Sequence, residues 1–281
     1  MSVPEFIYTV LLKPAPLKRL ANGVIRALLP AELHYRGIQL ALNPNDPVVS
    51  GALLFNVYEN DEVDYFQCLL RPGMTVVDVG ANIGLYTALA AAGIGPAGRV
   101  VALEPDPESF SYLQKTLALN GFTTVEPCAA AASSGTGTAQ LFRNPDNRGD
   151  SRLYDDPLLA NPLAIQTTTL DELLRAHGIR SVDILKMDVQ GAEGLVLAGA
   201  AQILRDSPNL TIMMEFWPYG LARTGCNARE ILHQLRADGF QLVDIGRKFQ
   251  QLHSDHDFDE LVARLQGRRY TNLVASKGSR A

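Results

Sequence analysis

Short apolar runs alternate along this chain with longer stretches whose apolar residues recur at helical spacing. Val76, Val77 and Val79 form one such run, and apolar residues between Leu85 and Ala92 then recur every three or four positions. A short apolar run indicates a buried strand, and the spacing after it indicates a helix. Because this alternation recurs along the chain, it predicts an α/β fold in which helices connect parallel strands.

Seven of the apolar runs are expected to form the central sheet. They lie at 76–79, 100–103, 123–129, 182–187, 210–216, 240–245 and 270–276. The last run is expected to be an antiparallel edge strand. Two further short strands are predicted at 34–42 and 138–142.

Capping residues predict where several helices begin and end. Asn60 or Asp61 could cap a helix before the first sheet strand, and Gly93 is well placed to end the helix after it. Thr169 could cap another helix, and Asn227 with a glutamate three residues on predicts a capping box. One continuous helix is expected from 192 to about 204.

The glycine-rich turn after the first sheet strand is the first sign of chemistry. It reads Gly80-Ala81-Asn82-Ile83-Gly84, directly before a helix. Glycine permits sharp backbone angles and close approach of a ligand, and the helix that follows presents free N–H groups. The next strand ends in Glu104, roughly twenty residues on, where a carboxylate would meet ribose hydroxyls. The pattern therefore indicates a nucleotide-type cofactor at the carboxyl ends of the strands.

Four segments in one order resemble the FkbM-type S-adenosylmethionine-dependent methyltransferases. They read D-V-G-A-N-I-G-L-Y-T, E-P-D-P-E-S-F, T-T-L-D-E-L and I-L-K-M-D-V-Q-G-A-E-G-L-V-L-A-G-A, within a match spanning about 58–274. The resemblance implies a Rossmann-like, doubly wound sheet of seven mostly parallel strands with an antiparallel last strand and helices on both faces. It also implies methylation of a hydroxyl on a small metabolite, sugar or glycan. We expect an N-terminal helical extension at 1–57 and the methyltransferase domain at 58–281.

The resemblance and the chemistry of the side chains together assign the cofactor site. A carboxylate at Asp78 would pair with the ammonium of S-adenosylmethionine. The glycines at 80 and 84 allow its close approach, and Asn82 would hydrogen-bond the cofactor or brace the turn. Glu104 would accept hydrogen bonds from both ribose hydroxyls. Tyr58 and Glu59 stand where the family has an aromatic–acid pair and are further cofactor-pocket candidates.

Lys186, Asp188 and Glu215 are the candidates for catalysis, because they end two neighbouring strands. Three hypotheses remain open for them. Asp188 and Glu215 could hold Mg²⁺ together with water and acceptor oxygens. One of the carboxylates could instead be the general base for the acceptor hydroxyl. The third hypothesis is an ion-pair cluster that only shapes the floor of the site.

Loops are expected to build the acceptor pocket. The segment 143–162 has no periodicity and could be a lid over adenine and acceptor or a flexible loop. Trp217 follows Glu215 closely and could be an acceptor wall or part of the core. His253 and His256 lie in a charged loop that could bind a surface metal, although solvation is the simpler interpretation.

Composition and charge exclude several classes of protein. The chain has 281 residues, 47% of them hydrophobic, and a net charge of −5, which argues against a nucleic-acid partner. Its three cysteines form no CxxC motif, so we expect reduced, mostly buried thiols in a cytoplasmic protein. The apolar stretch 6–12 is too interrupted for a signal peptide, and no spanning helix is expected. The amphipathic stretch 17–29 is interpreted as a packed helix or a weak membrane-surface contact.

Two other functions fit parts of the same pattern. A nicotinamide-dependent oxidoreductase would also use Gly80 and Glu104, although the turn lacks the third glycine of the dinucleotide fingerprint. A non-catalytic cofactor-binding scaffold would keep the fold without turnover. The sequence leaves the acceptor and the oligomeric state open, with a homo-oligomer as one possibility.

Overall fold

A computed structural model of the chain describes residues 15–145, 147–156 and 159–278. The predicted absence of a signal peptide concerns 6–12, which lie outside the described residues. Within the described ranges, no helix is both long and apolar enough to cross a membrane.

The strands are numbered in chain order. They are β1 Glu32–Tyr35, β2 Ile38–Ala41, β3 Thr75–Val79, β4 Arg99–Leu103, β5 Val125–Cys128, β6 Ala131–Ala132, β7 Gly137–Arg143, β8 Ala160–Thr168, β9 Ile184–Met187, β10 Leu210–Phe216, β11 Gln241–Asp244, β12 Gln250–Leu252 and β13 Thr271–Lys277. The helices are α1 Ala15–Leu28, α2 Pro47–Leu54, α3 Asn60–Leu69, α4 Leu85–Ile94, α5 Pro107–Asn120, α6 Leu170–Ala176, α7 Glu193–Ala198, α8 Ala201–Asp206, α9 Pro218–Arg223, α10 Ala228–Ala237 and α11 Asp255–Arg264.

The central sheet has eight strands in the order β12-β11-β13-β10-β9-β3-β4-β5. β3 pairs in parallel with β4 and β9, and β9 pairs in parallel with β10. The prediction of a mostly parallel sheet is therefore confirmed, whereas the predicted count of seven strands is wrong because β12 adds to the edge beyond β11.

The last strand is antiparallel, as predicted, but it is not an edge. β13 lies between β10 and β11 and pairs with both in antiparallel register. Its inner residues Leu273, Val274 and Ala275 are almost fully buried, which an edge strand would not require. Insertion between two strands gives its backbone groups partners on both sides.

Several helix boundaries differ from the sequence predictions. Glu59, not Asn60 or Asp61, is the N-cap of α3, and it has left-handed backbone angles and makes no side-chain capping bond. α4 continues through Gly93 to Ile94, and its C-cap is Gly95, which has a φ of 67°. The expected single helix from 192 is broken at Gly199–Ala200 into α7 and α8. By contrast, Thr169 caps α6 as predicted, by accepting a hydrogen bond from the Glu172 N–H.

Two smaller sheets flank the central one. The predicted strand at 34–42 is in fact a hairpin, because Arg36 and Gly37 have positive φ and turn β1 back on β2. β6, β8 and β7 form a three-stranded sheet over one end of the parallel strands. The segment 143–162, predicted as structureless, contains a 3₁₀ turn at Arg148–Asp150 and leads into β8.

Asn227 caps α10 by accepting two backbone N–H bonds, as predicted. The predicted capping box is incomplete, because Glu230 accepts a hydrogen bond from the Asn227 side-chain amide and not from the Asn227 backbone N–H.

The cysteine prediction is right about the reduced state and wrong about burial. All three are free thiols, but Cys68 is exposed and Cys128 and Cys226 are only partly buried.

Candidate active site

A cavity opens at the carboxyl ends of β3, β4 and β9. Val79 and Gly80 line it from β3, Leu103 and Glu104 from β4, and Asp188 from β9. We call this the inner cavity. In an open parallel sheet, this edge is where ligands bind, because the strand order reverses there and leaves a crevice.

The glycine turn forms the floor of the inner cavity. Gly80 has a φ of 79°, and a Cβ there would lie 2.1 Å from the Asp188 backbone oxygen. Gly84 has a φ of 92°, and its Cβ would lie 2.7 Å from a Leu113 methyl. Both positions therefore require glycine. Asn82 between them also has a positive φ, of 50°, and its side-chain Oδ1 is buried without a partner among the described residues.

Glu104 is a buried carboxyl at the end of β4. Its Oε2 accepts the Asn82 backbone N–H at 2.8 Å, and its Oε1 accepts the Asp106 N–H at 2.8 Å. Burial raises the pKa of Glu104 to about 7, although the two N–H bonds oppose that shift. Each oxygen retains a lone pair that can accept from a ligand hydroxyl.

Asp78 lies behind the cavity wall. Its side chain is fully buried, Oδ2 accepts the Thr87 hydroxyl at 2.6 Å, and Oδ1 lies 3.7 Å from Lys186 Nζ. Burial raises the pKa of Asp78, and the nearby ammonium opposes that shift. The structure therefore places Asp78 as the buried counter-ion of Lys186.

Lys186 is the buried cation at the centre of the site. Its Nζ lies 4.0 Å from Asp188 Oδ2 and 4.6 Å from the centre of the Tyr86 ring. Burial alone would lower the pKa of Lys186, but the surrounding carboxylates raise it, so the ammonium is charged at neutral pH. Tyr86 also donates to Glu59 Oε2 at 3.1 Å, and burial raises the pKa of Glu59 to about 7.

Asp188 and Glu215 are joined by an amide that the sequence analysis did not single out. Gln190 Nε2 donates to Asp188 Oδ1 at 2.9 Å and reaches Glu215 Oε2 at 3.4 Å. Glu215 Oε1 is buried without a hydrogen-bond partner in the described part of the chain. Burial and the neighbouring Asp188 raise the pKa of Glu215 well above its usual range.

The turn after β9 is held by Glu193. Its fully buried carboxyl accepts the N–H groups of Val189 and Gly191 at 3.2 and 3.3 Å. Gly191 has a φ of 98°, and its Cβ would lie 2.5 Å from the Gly220 backbone. These contacts fix the backbone from which Asp188 and Gln190 project.

A second cavity adjoins the first, and we call it the outer cavity. The two share Val49, Tyr58, Gly149, Asp188 and Gln190 in their walls. The remaining wall includes carboxyl, aromatic and guanidinium side chains: Glu59, Asp150, Glu215, Trp217, Tyr270, Arg152 and Arg268. Trp217 is thus both nearly buried and part of a cavity wall.

The structure brings most of the predicted site residues to these cavities. Tyr58, Gly80, Asn82, Glu104, Lys186 and Asp188 line the inner cavity. Glu59 and Glu215 line the outer one, whereas Asp78 and Gly84 lie behind the walls of both.

Sequence reasoning did not single out Gln190, and it named the segment 143–162 as a lid or a flexible loop without locating the 3₁₀ turn at Arg148–Asp150 that lines the inner cavity. Arg148 and Gly149 of that turn line the cavity, and a Cβ on Gly149 would lie 3.3 to 3.4 Å from Val49 and Asn82. The R-G-D letters of the turn carry no periodicity. Gly191, close after the strand, was a usable signal, since a glycine there indicates a turn, and Gln190 stands beside it.

The residues fit a nucleotide-type cofactor better than a metal ion. The inner cavity supplies a buried carboxyl, a glycine floor and an Asn82 Oδ1 that no described residue hydrogen-bonds. Across the described residues, no three His, Cys, Asp or Glu side chains are grouped to hold a metal. The Gln190 amide donates to both carboxyls that the Mg²⁺ hypothesis assigned as ligands. These observations give no support to a metal ion, and binding of Mg²⁺ by Asp188 and Glu215 stays a prediction.

Fold and site together define an α/β protein with a doubly wound, mostly parallel sheet and a ligand cavity at the carboxyl edge. The chain belongs to the FkbM family of S-adenosylmethionine-dependent methyltransferase domains, because the family described as Methyltransferase FkbM domain matches residues 78–270. The resemblance inferred from the four sequence segments is thereby confirmed.

Individual proteins similar to this chain share between 16 and 30% of its residues over the aligned parts. Methyltransferase sdnD of Sordaria araneosa is 30% identical over 154 residues, 44% of this chain and 59% of that protein. The 2-O-methyltransferase NoeI of Sinorhizobium fredii is 26% identical over 156 residues, 48% of this chain and 61% of that protein. The crystal structure of an FkbM methyltransferase from Methylobacillus flagellatus is 16% identical, with a TM-score of 0.43 over 93% of this chain and 60% of that one. The chain thus spans about three-fifths of the length of these relatives.

Proposed function

We propose that the protein is an S-adenosylmethionine-dependent O-methyltransferase acting on a hydroxyl of a small metabolite, sugar or glycan. The observation that carries the proposal is the meeting of two cavities at Asp188. The inner one has the glycine floor and buried Glu104 that suit a nucleoside, and the outer one has room for a separate acceptor.

The inner cavity holds the cofactor. Glu104 accepts hydrogen bonds from the ribose hydroxyls, Asn82 Oδ1 accepts from the cofactor, and Gly80 lets the backbone approach it. Tyr58 separates the cofactor from the acceptor, since it lines both cavities. When bound, S-adenosylmethionine supplies a methyl group already activated on a sulfonium.

The chain's own residues orient the acceptor and receive its proton. Asp188 and Glu215 present carboxyls to the outer cavity, and one of them would accept the proton of the acceptor hydroxyl. Lys186 places a positive charge 4.0 Å from Asp188 Oδ2, and Gln190 fixes the two carboxyls relative to each other. The remaining contribution is alignment and exclusion of water, for which the turn at Arg148–Asp150 covers the inner cavity.

Oxygen is the proposed methyl acceptor for two reasons. The relative NoeI is named a 2-O-methyltransferase. In addition, a carboxyl suits a hydroxyl proton, because both can be aligned within one short hydrogen bond. No step is assigned to Mg²⁺.

The division into an extension at 1–57 and a domain at 58–281 also stays a proposal, with one addition. Val49 and Leu53 of α2 line the inner cavity, so the extension contributes to the cofactor wall. A cytoplasmic location, a weak membrane-surface contact of α1 and a homo-oligomeric state stay predictions.

Calorimetric titration tests the cofactor assignment. S-adenosylmethionine and its demethylated product should both bind, NADH should not, and Glu104→Ala should weaken binding by about tenfold or more. Tight NADH binding without binding of the methyl donor would favour the oxidoreductase.

Turnover tests the catalytic assignment once an acceptor is identified by screening hydroxylated metabolites with radiolabelled methyl donor. Asp188→Ala should abolish methyl transfer and leave cofactor affinity within about tenfold. Unchanged turnover in that variant would remove Asp188 from the mechanism, and donor binding without any transfer would favour the scaffold.

A further inference from the structure

The wall of the outer cavity carries both arginines and carboxyl side chains. Two arginines, Arg152 and Arg268, face it together with the carboxyls of Glu59, Asp150, Asp188 and Glu215. An arginine in an acceptor pocket ordinarily recognises a phosphate or carboxylate. Whether these two do so depends on what already binds their guanidinium groups.

Both guanidinium groups are held by carboxylates. Arg152 Nη1 lies 2.5 Å from Asp156 Oδ2, and its Nη2 lies 2.6 Å from Asp150 Oδ1. Arg268 Nη2 lies 3.1 Å from the same Asp156 oxygen. Asp156 is 2% exposed and lies outside the cavity wall, so it pairs with both arginines from behind.

Aromatic rings fix the geometry of this cluster. The Arg152 guanidinium lies 4.9 Å from the centre of the Trp217 ring, and the Arg268 guanidinium lies 5.1 Å from that of Tyr219. The two rings are themselves 5.5 Å apart. Arg152 is enclosed by a ring and two carboxylates, whereas Arg268, 46% exposed, is paired with Asp156 and packs on the Tyr219 ring, so Asp156 offsets the charge of both arginines.

We propose that Asp156 is a specificity-determining residue that makes the outer cavity select uncharged acceptors. It does so by pairing with Arg152 and Arg268, so that the cavity presents carboxyls, aromatic rings and the Gln190 amide rather than unpaired cations. A phosphorylated or carboxylated acceptor would meet the carboxyls of Asp188 and Glu215, while the charges of the two nearby guanidinium groups are already offset by Asp150 and Asp156. The assignment of the outer cavity to the acceptor rests on the proposed function, whereas the pairing by Asp156 does not.

The only tryptophan of the chain is the reporter for the test. Because Arg152 lies over Trp217, an anion that binds Arg152 should change the intrinsic fluorescence and move the single indole N–H signal in a ¹H–¹⁵N spectrum. Inorganic phosphate is the probe, titrated against chloride at constant ionic strength. The full chain is used throughout.

Asp156→Asn should bind phosphate at least about tenfold more tightly than the unmodified protein, because two guanidinium groups lose their shared counter-charge. The neighbouring exposed Asp155→Asn is the matched control and should behave like the unmodified protein. Adding Arg152→Gln and Arg268→Gln together to Asp156→Asn should remove the gained affinity. Equal phosphate affinity in Asp156→Asn and the unmodified protein, or a gain that survives the loss of both arginines, would overturn the proposal.

Folding is checked by the thermal melting curve and by binding of S-adenosylhomocysteine. If Asp156→Asn does not fold, Asp150→Asn takes its place, since it also frees one side of Arg152 and should gain phosphate affinity; no gain there would count against the proposal. If the unmodified protein does not bind S-adenosylhomocysteine, the proposed function is refuted but the proposal about Asp156 is not, because the phosphate titration does not depend on cofactor binding.

Discussion

Replacing Lys186 by methionine should destabilise the protein strongly. Lys186 Nζ lies 3.7 Å from the fully buried carboxyl of Asp78 and 4.0 Å from Asp188. At an effective dielectric constant of about 20, each contact corresponds to about 4 kcal/mol of Coulomb energy. Methionine keeps most of the volume of the side chain, so the change removes charge with little loss of packing.

The net cost is smaller than the sum of those contacts, because burying the ammonium is itself unfavourable. Removing one partner of a buried ion pair costs about 3–5 kcal/mol. For a chain of 281 residues, this corresponds to a fall in melting temperature of about 5 to 8 °C. Urea unfolding and calorimetry on the purified variant give the two quantities.

The loss should depend on pH in a definite direction. Burial already raises the pKa of Asp78, and losing Lys186 raises it further. The folded variant then binds a proton that the unfolded chain releases, so its stability falls as pH rises from the ordinary carboxyl pKa through the raised one. The deficit relative to the unmodified protein should therefore be smaller at pH 5 than at pH 8.

The double variant Lys186→Met with Asp78→Asn is the control for this reasoning. It removes the unpaired carboxylate and should recover part of the lost free energy of unfolding, giving a clearly non-additive cycle. A loss below about 1 kcal/mol at pH 8, or full additivity in the cycle, would refute the assignment of Asp78 and Lys186 as a buried pair.

Three further predictions concern the cavity floor, the cofactor carboxyl and the turn after β9. Gly80→Ala should lower the free energy of unfolding by about 1–2 kcal/mol because of the positive φ alone, and by more because of the contact with the Asp188 oxygen. An unchanged thermal melting temperature in this variant would contradict the prediction. Glu104→Gln should weaken S-adenosylhomocysteine binding about tenfold to a hundredfold. Because the pKa of Glu104 is about 7 in the free protein, S-adenosylhomocysteine affinity measured by calorimetry should rise between pH 6 and 8 as the carboxyl ionises. In Glu104→Gln, the same affinity should not change over that pH range. Glu193→Ala should lower the free energy of unfolding by about 2–3 kcal/mol by freeing two backbone N–H groups, whereas the exposed Glu260→Ala should leave urea unfolding unchanged.

Local patterns predicted the elements whose burial is uniform along their length. The run at 210–216 matches β10 at both ends, since a strand buried on both faces is mostly apolar along its length. α2 was missed because its residues are apolar on every side, and its start depends on the buried Asp46, which accepts the Val49 N–H at 3.1 Å. The end of α4 was misplaced because Gly93 packs against Leu70, a contact that the sequence does not reveal.

The candidate site divides in the same way. Gly80, Asn82, Glu104 and Asp188 could be named from the sequence, because each directly follows or ends a strand whose carboxyl end borders the crevice. The position of Asp78 could not, since its role depends on Lys186 reaching it from the neighbouring strand β9.

The amino-acid sequence by itself determined the α/β alternation, the glycine turn, the acids at the strand ends and membership of the FkbM family. These features depend on neighbouring residues and on periodicity, which a single chain carries in order. Only the tertiary structure decided that β13 lies inside the sheet, that Gln190 bridges two carboxyls and that Asp156 pairs with both arginines of the outer cavity. The reason is that each of these features depends on how the helices and strands pack, which brings side chains from different elements within a few ångströms of each other.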